Sequence, residues 1–330
     1  MRTETRFRLA SVTKPIVSLA LMKLVDIGTV SLHEPVTRWL PYFRPSLADG
    51  RIPEITLHHL LSHSSGLSYG FQEPVGSEYE QLGISDGLDS SGLSLEENLR
   101  RLATAELKFE PGSAWHYSLA SDVIGAVIEC ATGCRLSDAF EVLISGPLGL
   151  PSLAFTAKSS DVLATPYVDS TGVLMEMREP EEVMPPDTLG VIRFSPRRAY
   201  TVGEYPSGGA GMVGDALDIL KVLEVVRKDG AGFIGEDVAR LMATAHIGSD
   251  LRAQDDGWGF GYMGAVLMDP SVMNTPQRAG TVEWGGVYGH TWFFDRETGL
   301  TVVSLTNTTW EGVGGRFPQE IRDGIYAAIG

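Results

Sequence analysis

The sequence predicts an α+β protein, an antiparallel sheet flanked by helices with a helical, loop-rich insertion. Helical periodicity dominates the first 140 residues and returns over 216–246. Strand-like runs are confined to about 257–306 and follow one another without intervening helices, the pattern of antiparallel rather than βαβ pairing. At 330 residues and 43% hydrophobic content the chain can bury a substantial core, in two domains or one lobed unit.

The first helix is expected over 12–28. Ile16, Leu19, Ala20, Leu24 and Val25 form its apolar stripe, Pro15 sits in its first turn, Ser11 caps it and Gly28 ends it. A proline-rich stretch (Pro35, Pro41, Pro45, Pro53) leads to Thr56, the cap of a short helix through His63. Ser94 and Glu97 make a capping box that opens a helix to about 105. Pro111-Gly112 turns the chain into Trp115-His116-Tyr117-Ser118, and a helix over 119–131 closes at Gly133. Six prolines over 152–207 predict an irregular excursion wrapping the rim of the site. Helices at 216–228 and 236–246 precede strands at 257–268, 280–287, 290–295 and 300–306. Asp295-Arg296-Glu297-Thr298-Gly299 joins the last pair, and a final helix spans 317–329. The sheet domain is expected from 1–40 with 208–330, the helical domain from 41–207.

A net charge of −16 argues against nucleic acid and anionic membrane surfaces as partners, leaving small molecules and copies of the chain itself. No stretch has the length of a membrane span, and Met1–Arg6 has no apolar export core, so a cytoplasmic location is expected. Cys130 and Cys134 lie on one turn and suit free thiols with a buried structural role. His59 and His63 are four apart but lack a Glu between them or a third ligand, so no metal or other cofactor is implied.

The chemistry concentrates in Ser11-Val12-Thr13-Lys14. A serine is a poor nucleophile until a base takes its proton, and a helical Ser-x-x-Lys supplies both groups on one face. The lysine serves as base only if burial or the helix N-terminus lowers its basicity. A rival serine lies in Gly66-Leu67-Ser68-Tyr69-Gly70, which matches the Gly-x-Ser-x-Gly elbow. That elbow needs a strand before it and a helix after it. Here a helical segment precedes and Glu73-Pro74 follows, so Ser68 is assigned to a loop.

Ser11–Lys14, Leu60–Leu67, Tyr117-Ser118-Leu119, Trp284-Gly285-Gly286-Val287 and Gly289–Trp292 together resemble the serine β-lactamase-like hydrolases. The chain is most similar to the family VIII carboxylesterases, relatives of the class C β-lactamases and penicillin-binding proteins. That resemblance implies a β-lactamase-like fold, Ser11 as acylated nucleophile, Lys14 as base and Tyr117 as proton relay. It also implies contact between Lys14 and Tyr117, with the phenolate stabilised by the ammonium. The N–H groups of Ser11 and Val287 would form the oxyanion hole, and Trp284, Gly285 and Gly286 would line the substrate.

Two departures from the family pattern bear on substrate. Trp284 stands where β-lactamases carry a lysine that meets a substrate carboxylate, and Leu119 where they carry an asparagine. Both favour small neutral carboxylic esters over β-lactams, unless Arg193, Arg197 or Arg198 supplies a substitute cation. A β-lactamase, D-amino-acid peptidase, acyltransferase or inactive homologue of the same fold is the alternative. Family members normally carry several dozen residues before the nucleophile. Ten precede Ser11 here, so N-terminal strands are expected to be missing and a sheet edge near 290–306 exposed.

Overall fold

The computed structural model describes residues 1–170, 173–185, 188–248 and 256–329. Its helical half is built around α1 (Thr13–Asp26), whose Ile16, Leu19, Leu21 and Met22 are fully buried. A helix apolar on nearly every face must be enclosed by neighbours. Those neighbours are α2 (Ala120–Thr132), through its buried Val123, Ile124, Val127 and Ile128, and the helix Glu236–Met242.

The main sheet is an antiparallel meander of β1 (Trp258–Phe260), β2 (Ala265–Leu267), β3 (Val282–Gly286), β4 (His290–Asp295) and β5 (Leu300–Leu305). In the central register Trp292 lies opposite both Trp284 and Val303. Alternation along β4 sends Trp292 and Phe294 into the core shared with the helices. Phe293 instead stacks on Tyr326 of α4 (Arg316–Ile329), ring centroids 6.0 Å apart. Helix α3 (Ala216–Arg227) lies against β5 and β4. Both faces of the sheet are therefore covered, which fixes where β3 meets the helical half. Among the described residues β5 is an outermost strand, half-buried along its length.

Several expectations need correction. The 257–268 strand is two strands, β1 and β2, turned back at 261–264. The 152–207 excursion carries the strand pairs Tyr167–Ser170 with Val173–Glu176 and Glu181–Val183 with Ile192–Phe194. Segments of three or four residues are too short to display a period of two between prolines. Its residues 171–172 and 186–187 lie outside the described residues. Cys130 is exposed because the inward stripe of α2 passes through other positions, and Cys134, two residues beyond the end of that helix, is half-buried; both are free thiols. No described helix is long and apolar enough to cross a membrane.

Candidate active site

Ser11 reaches the site through a local distortion. A short strand, Phe7–Arg8, pairs with Val213–Gly214, and Ala10 then adopts φ +45° before a single 3-10 turn, Ala10–Val12. A left-handed alanine costs about 1–2 kcal/mol, held here by the packed segments on either side. Ser11 therefore lies inside the turn and does not cap α1, which begins at Thr13 with no side-chain cap. Its hydroxyl is left to other partners.

Those partners are Lys14 and Tyr117. The Tyr117 hydroxyl donates to Ser11 Oγ at 2.7 Å, and Lys14 Nζ lies 3.1 Å from the same oxygen. Lys14 Nζ also donates to the Gly209 carbonyl at 2.8 Å, and stands 4.6 Å from the Tyr117 ring centroid and 5.1 Å from that of Tyr69. Burial drives the Lys14 amine down to about 7, with the nearby carboxyls of Asp122 and Asp86 opposing. Burial pushes the Tyr117 phenol up, against the bonds to Ser11 and Trp284. This reverses the expectation of a stabilised phenolate. Lys14 Nζ sits over the ring face, and with its basicity lowered the neutral amine is the group ready to accept a proton while the tyrosine keeps its own.

Tyr117 lies in extended chain three residues ahead of α2, held on both sides by a polar clasp. The His116 N–H donates to the His63 carbonyl at 2.9 Å, and the Ser118 N–H to His63 Nδ1 at 3.2 Å. The Leu119 N–H reaches the Ser68 carbonyl at 3.2 Å, and Ser68 Oγ is 2.9 Å from His116 Nε2. Ser68 is fully buried, so the Gly-x-Ser-x-Gly segment serves as a strap that positions Tyr117. His59 is occupied in the capping box of the helix Leu57–Leu61, its Nδ1 accepting from the Thr56 N–H at 3.2 Å.

Strand β3 brings Trp284, Gly285 and Gly286 to the opposite side. Trp284 Nε1 donates to the Tyr117 hydroxyl at 3.4 Å. Both glycines are required by close approach. A Cβ on Gly286 would stand 2.4 Å from the Leu9 carbonyl oxygen, and one on Gly285 would stand 2.4 Å from Val313 Cγ2. Val287 follows directly, and no turn or loop hydrogen bond among the described residues uses the N–H of Ser11 or Val287. Gly286→Ala is expected to force β3 away from the nucleophile turn. Overpacking of this kind costs about 1–3 kcal/mol, and an ångström of misplacement about a hundredfold in rate. A lowered Tm together with a depressed kcat is the expected result; wild-type values for both would show that the contact is unimportant.

The groups open onto a cleft of about 630 Å³. Tyr69, Phe71, Leu88 and Ile192 form one wall, Trp258, Phe293, Trp310 and Val313 another. Leu119 is fully buried and does not line it. Nor do Arg193, Arg197 or Arg198: Arg193 is paired with Glu80 and Glu182, and Arg198 with Glu204. Among the described residues, the cation that lines the cleft is Arg322, on α4. Sequence reasoning missed Tyr69, Asp122, Asp86 and the His63 clasp. Asp122, fully buried on the first turn of α2 five residues beyond Tyr117, carried the one usable signal, an acidic residue beside Val123 and Ile124 on a helix whose apolar run already marked it for burial.

Residues 1–318 match the family model described as Beta-lactamase. The chain is 51% identical over 328 residues to Esterase EstB from Burkholderia gladioli, covering 99% of this chain and 83% of that one. It superposes on the solved structure of "EstCE1, a hydrolase with promiscuous acyltransferase activity" with a TM-score of 0.96 at 47% identity, covering 99% and 86% of the two chains. The unliganded simvastatin synthase LovD from Aspergillus terreus shares the fold, with a TM-score of 0.76 at 22% identity over 99% and 85%.

Proposed function

The chain belongs to the beta-lactamase family, and from that membership we propose that it is a serine carboxylesterase cleaving small neutral carboxylic esters through an acyl-enzyme on Ser11. One observation carries the residue assignment. Ser11 Oγ lies between a phenol kept protonated and an amine whose basicity burial has lowered. The neutral Lys14 amine takes the Ser11 proton as Oγ attacks the ester carbonyl carbon. The N–H groups of Ser11 and Val287 receive the resulting oxyanion, each donor worth about 3 kcal/mol. Tyr117 gives its proton to the departing alkoxide and recovers one from the Lys14 ammonium beside its ring. Water then attacks the acyl carbon with the same groups acting in reverse, and Ser11 is released.

Ester over β-lactam is favoured by Trp284, which offers one N–H donor and no charge where a substrate carboxylate would need a cation. Acyl transfer to an alcohol is a second reading. The nucleophile that resolves the acyl-enzyme is then an alcohol instead of water, and the aromatic and aliphatic side chains on the cleft walls suit one with an apolar chain. EstCE1, at 47% identity, is described with that side activity. The test is intact-protein mass spectrometry after a fluorophosphonate, with peptide mapping of the adduct. A single adduct on Ser11 is expected, and labelling elsewhere or none in folded protein overturns the proposal.

A further inference from the structure

Asp86 is a charged group on the cleft that the mechanism above does not use. Its Oδ1 accepts the Gly70 N–H at 2.8 Å and its Oδ2 the Phe71 N–H at 3.1 Å. A carboxylate has about four acceptor positions, so two remain for another donor. No ion pair to Asp86 forms among the described residues. The other two charged residues lining the cleft among those described, Glu283 and Arg322, lie on the sheet and the C-terminal helix and attract each other. Burial, together with the neighbouring carboxyls of Asp89 and Asp122, pushes the Asp86 carboxyl up to about 7 against its two N–H bonds, and Lys14, a basic group that also acts on it, is itself lowered to about 7 and so largely neutral above that pH. In mildly alkaline solution it is an uncompensated negative charge facing the substrate space.

Its surroundings narrow what it would take. Gln72 Oε1, on the same wall, is a buried acceptor with no partner among the described residues. The rings of Tyr69 and Phe71 stack at 4.8 Å and present aromatic surface to the cleft. Carboxylate and amide acceptors next to aromatic rings are the chemistry that recognises an organic ammonium. An anion would meet repulsion there, and an uncharged alkyl chain would leave the carboxylate desolvated and unpaired.

We propose that the wall formed by Tyr69, Phe71, Gln72 and Asp86 is an ammonium subsite, so that the enzyme favours esters bearing an alkylammonium group over neutral isosteres of equal length. This extends the substrate range from uncharged to cationic esters and rests on the ester-hydrolase reading above. The test compares kcat/KM of the wild-type protein, in mildly alkaline buffer, for two matched pairs. Ethyl ε-aminocaproate against ethyl heptanoate places the charge on the acyl side. Choline butyrate against dimethylbutyl butyrate places it on the alcohol side.

At least one pair is expected to favour the cation by about tenfold or more, the value of a charge-assisted contact. In Asp86→Asn that ratio falls toward one. Hexylammonium is also expected to inhibit neutral-ester turnover by the wild type more strongly than hexanol, a measurement that does not depend on the variant folding. Wild-type ratios at or below one in both pairs, an unchanged ratio in a folded Asp86→Asn, or hexanol inhibiting as strongly overturns the subsite while leaving the esterase reading intact. If none of the four esters is turned over, the esterase reading itself fails and the subsite with it.

Discussion

Ser11→Ala is expected to abolish formation of the acyl-enzyme and to lower kcat/KM on a p-nitrophenyl short-chain ester by about 10⁴-fold or more. Alanine removes the oxygen that both Tyr117 and Lys14 address, so neither remaining group has a reaction to assist. Loss of a half-buried hydroxyl leaves the core untouched, so thermal unfolding should stay close to wild type. The matched control is Ser68→Ala. Ser68 is buried and hydrogen-bonded to His116, so removing its hydroxyl deletes a contact worth about 1 kcal/mol and loosens the strap beneath Tyr117. Turnover in that variant should remain within about tenfold of wild type. Initial rates of the two variants side by side decide the matter, and retained turnover in Ser11→Ala would remove Ser11 from the chemistry.

The pH profile carries the second large effect. Lys14 is useful only when neutral, and its amine is lowered to about 7 by burial. As pH falls below that value the amine takes up a proton, so kcat/KM should drop about tenfold for each further pH unit. No matching alkaline limb is expected near neutrality, because Tyr117 is pushed up and keeps the proton it must donate. Lys14→Met should lose about 10²–10⁴-fold at the plateau and flatten the acid limb. A profile that leaves the limb in place without the lysine would assign it to another group, with the buried carboxyls Asp86 and Asp122 the nearest candidates.

What the sequence made legible follows the range of the interactions. Ser11 and Lys14 are three residues apart, Trp284-Gly285-Gly286 is contiguous, and Tyr117 follows a Pro-Gly turn, so each is a local pattern. Helices α1, α2 and α3 were equally plain because their apolar stripes run for three turns or more. The left-handed Ala10 was not, since alanine gives no local sign of positive φ. Nor was the direction of the Tyr117 shift, which depends on burial among His63, Tyr69 and Trp284, residues scattered over more than two hundred positions. The short strands of 152–207 are held by tertiary partners: Thr308–Thr309, for example, runs parallel to Tyr167–Ser170. Asp86 was invisible for the same reason, as its role depends on which wall it faces.

The contacts within the site span long intervals of chain. Tyr117 reaches Ser11 across 106 residues and Trp284 across 167. Closing such loops is entropically costly and comes late in folding, so a chain that has formed its local helices but not docked the meander is a catalytically silent species. Turnover is in this sense a reporter of complete assembly, and a proteolytic fragment lacking either end of the chain would be mute however well its remaining helices survived.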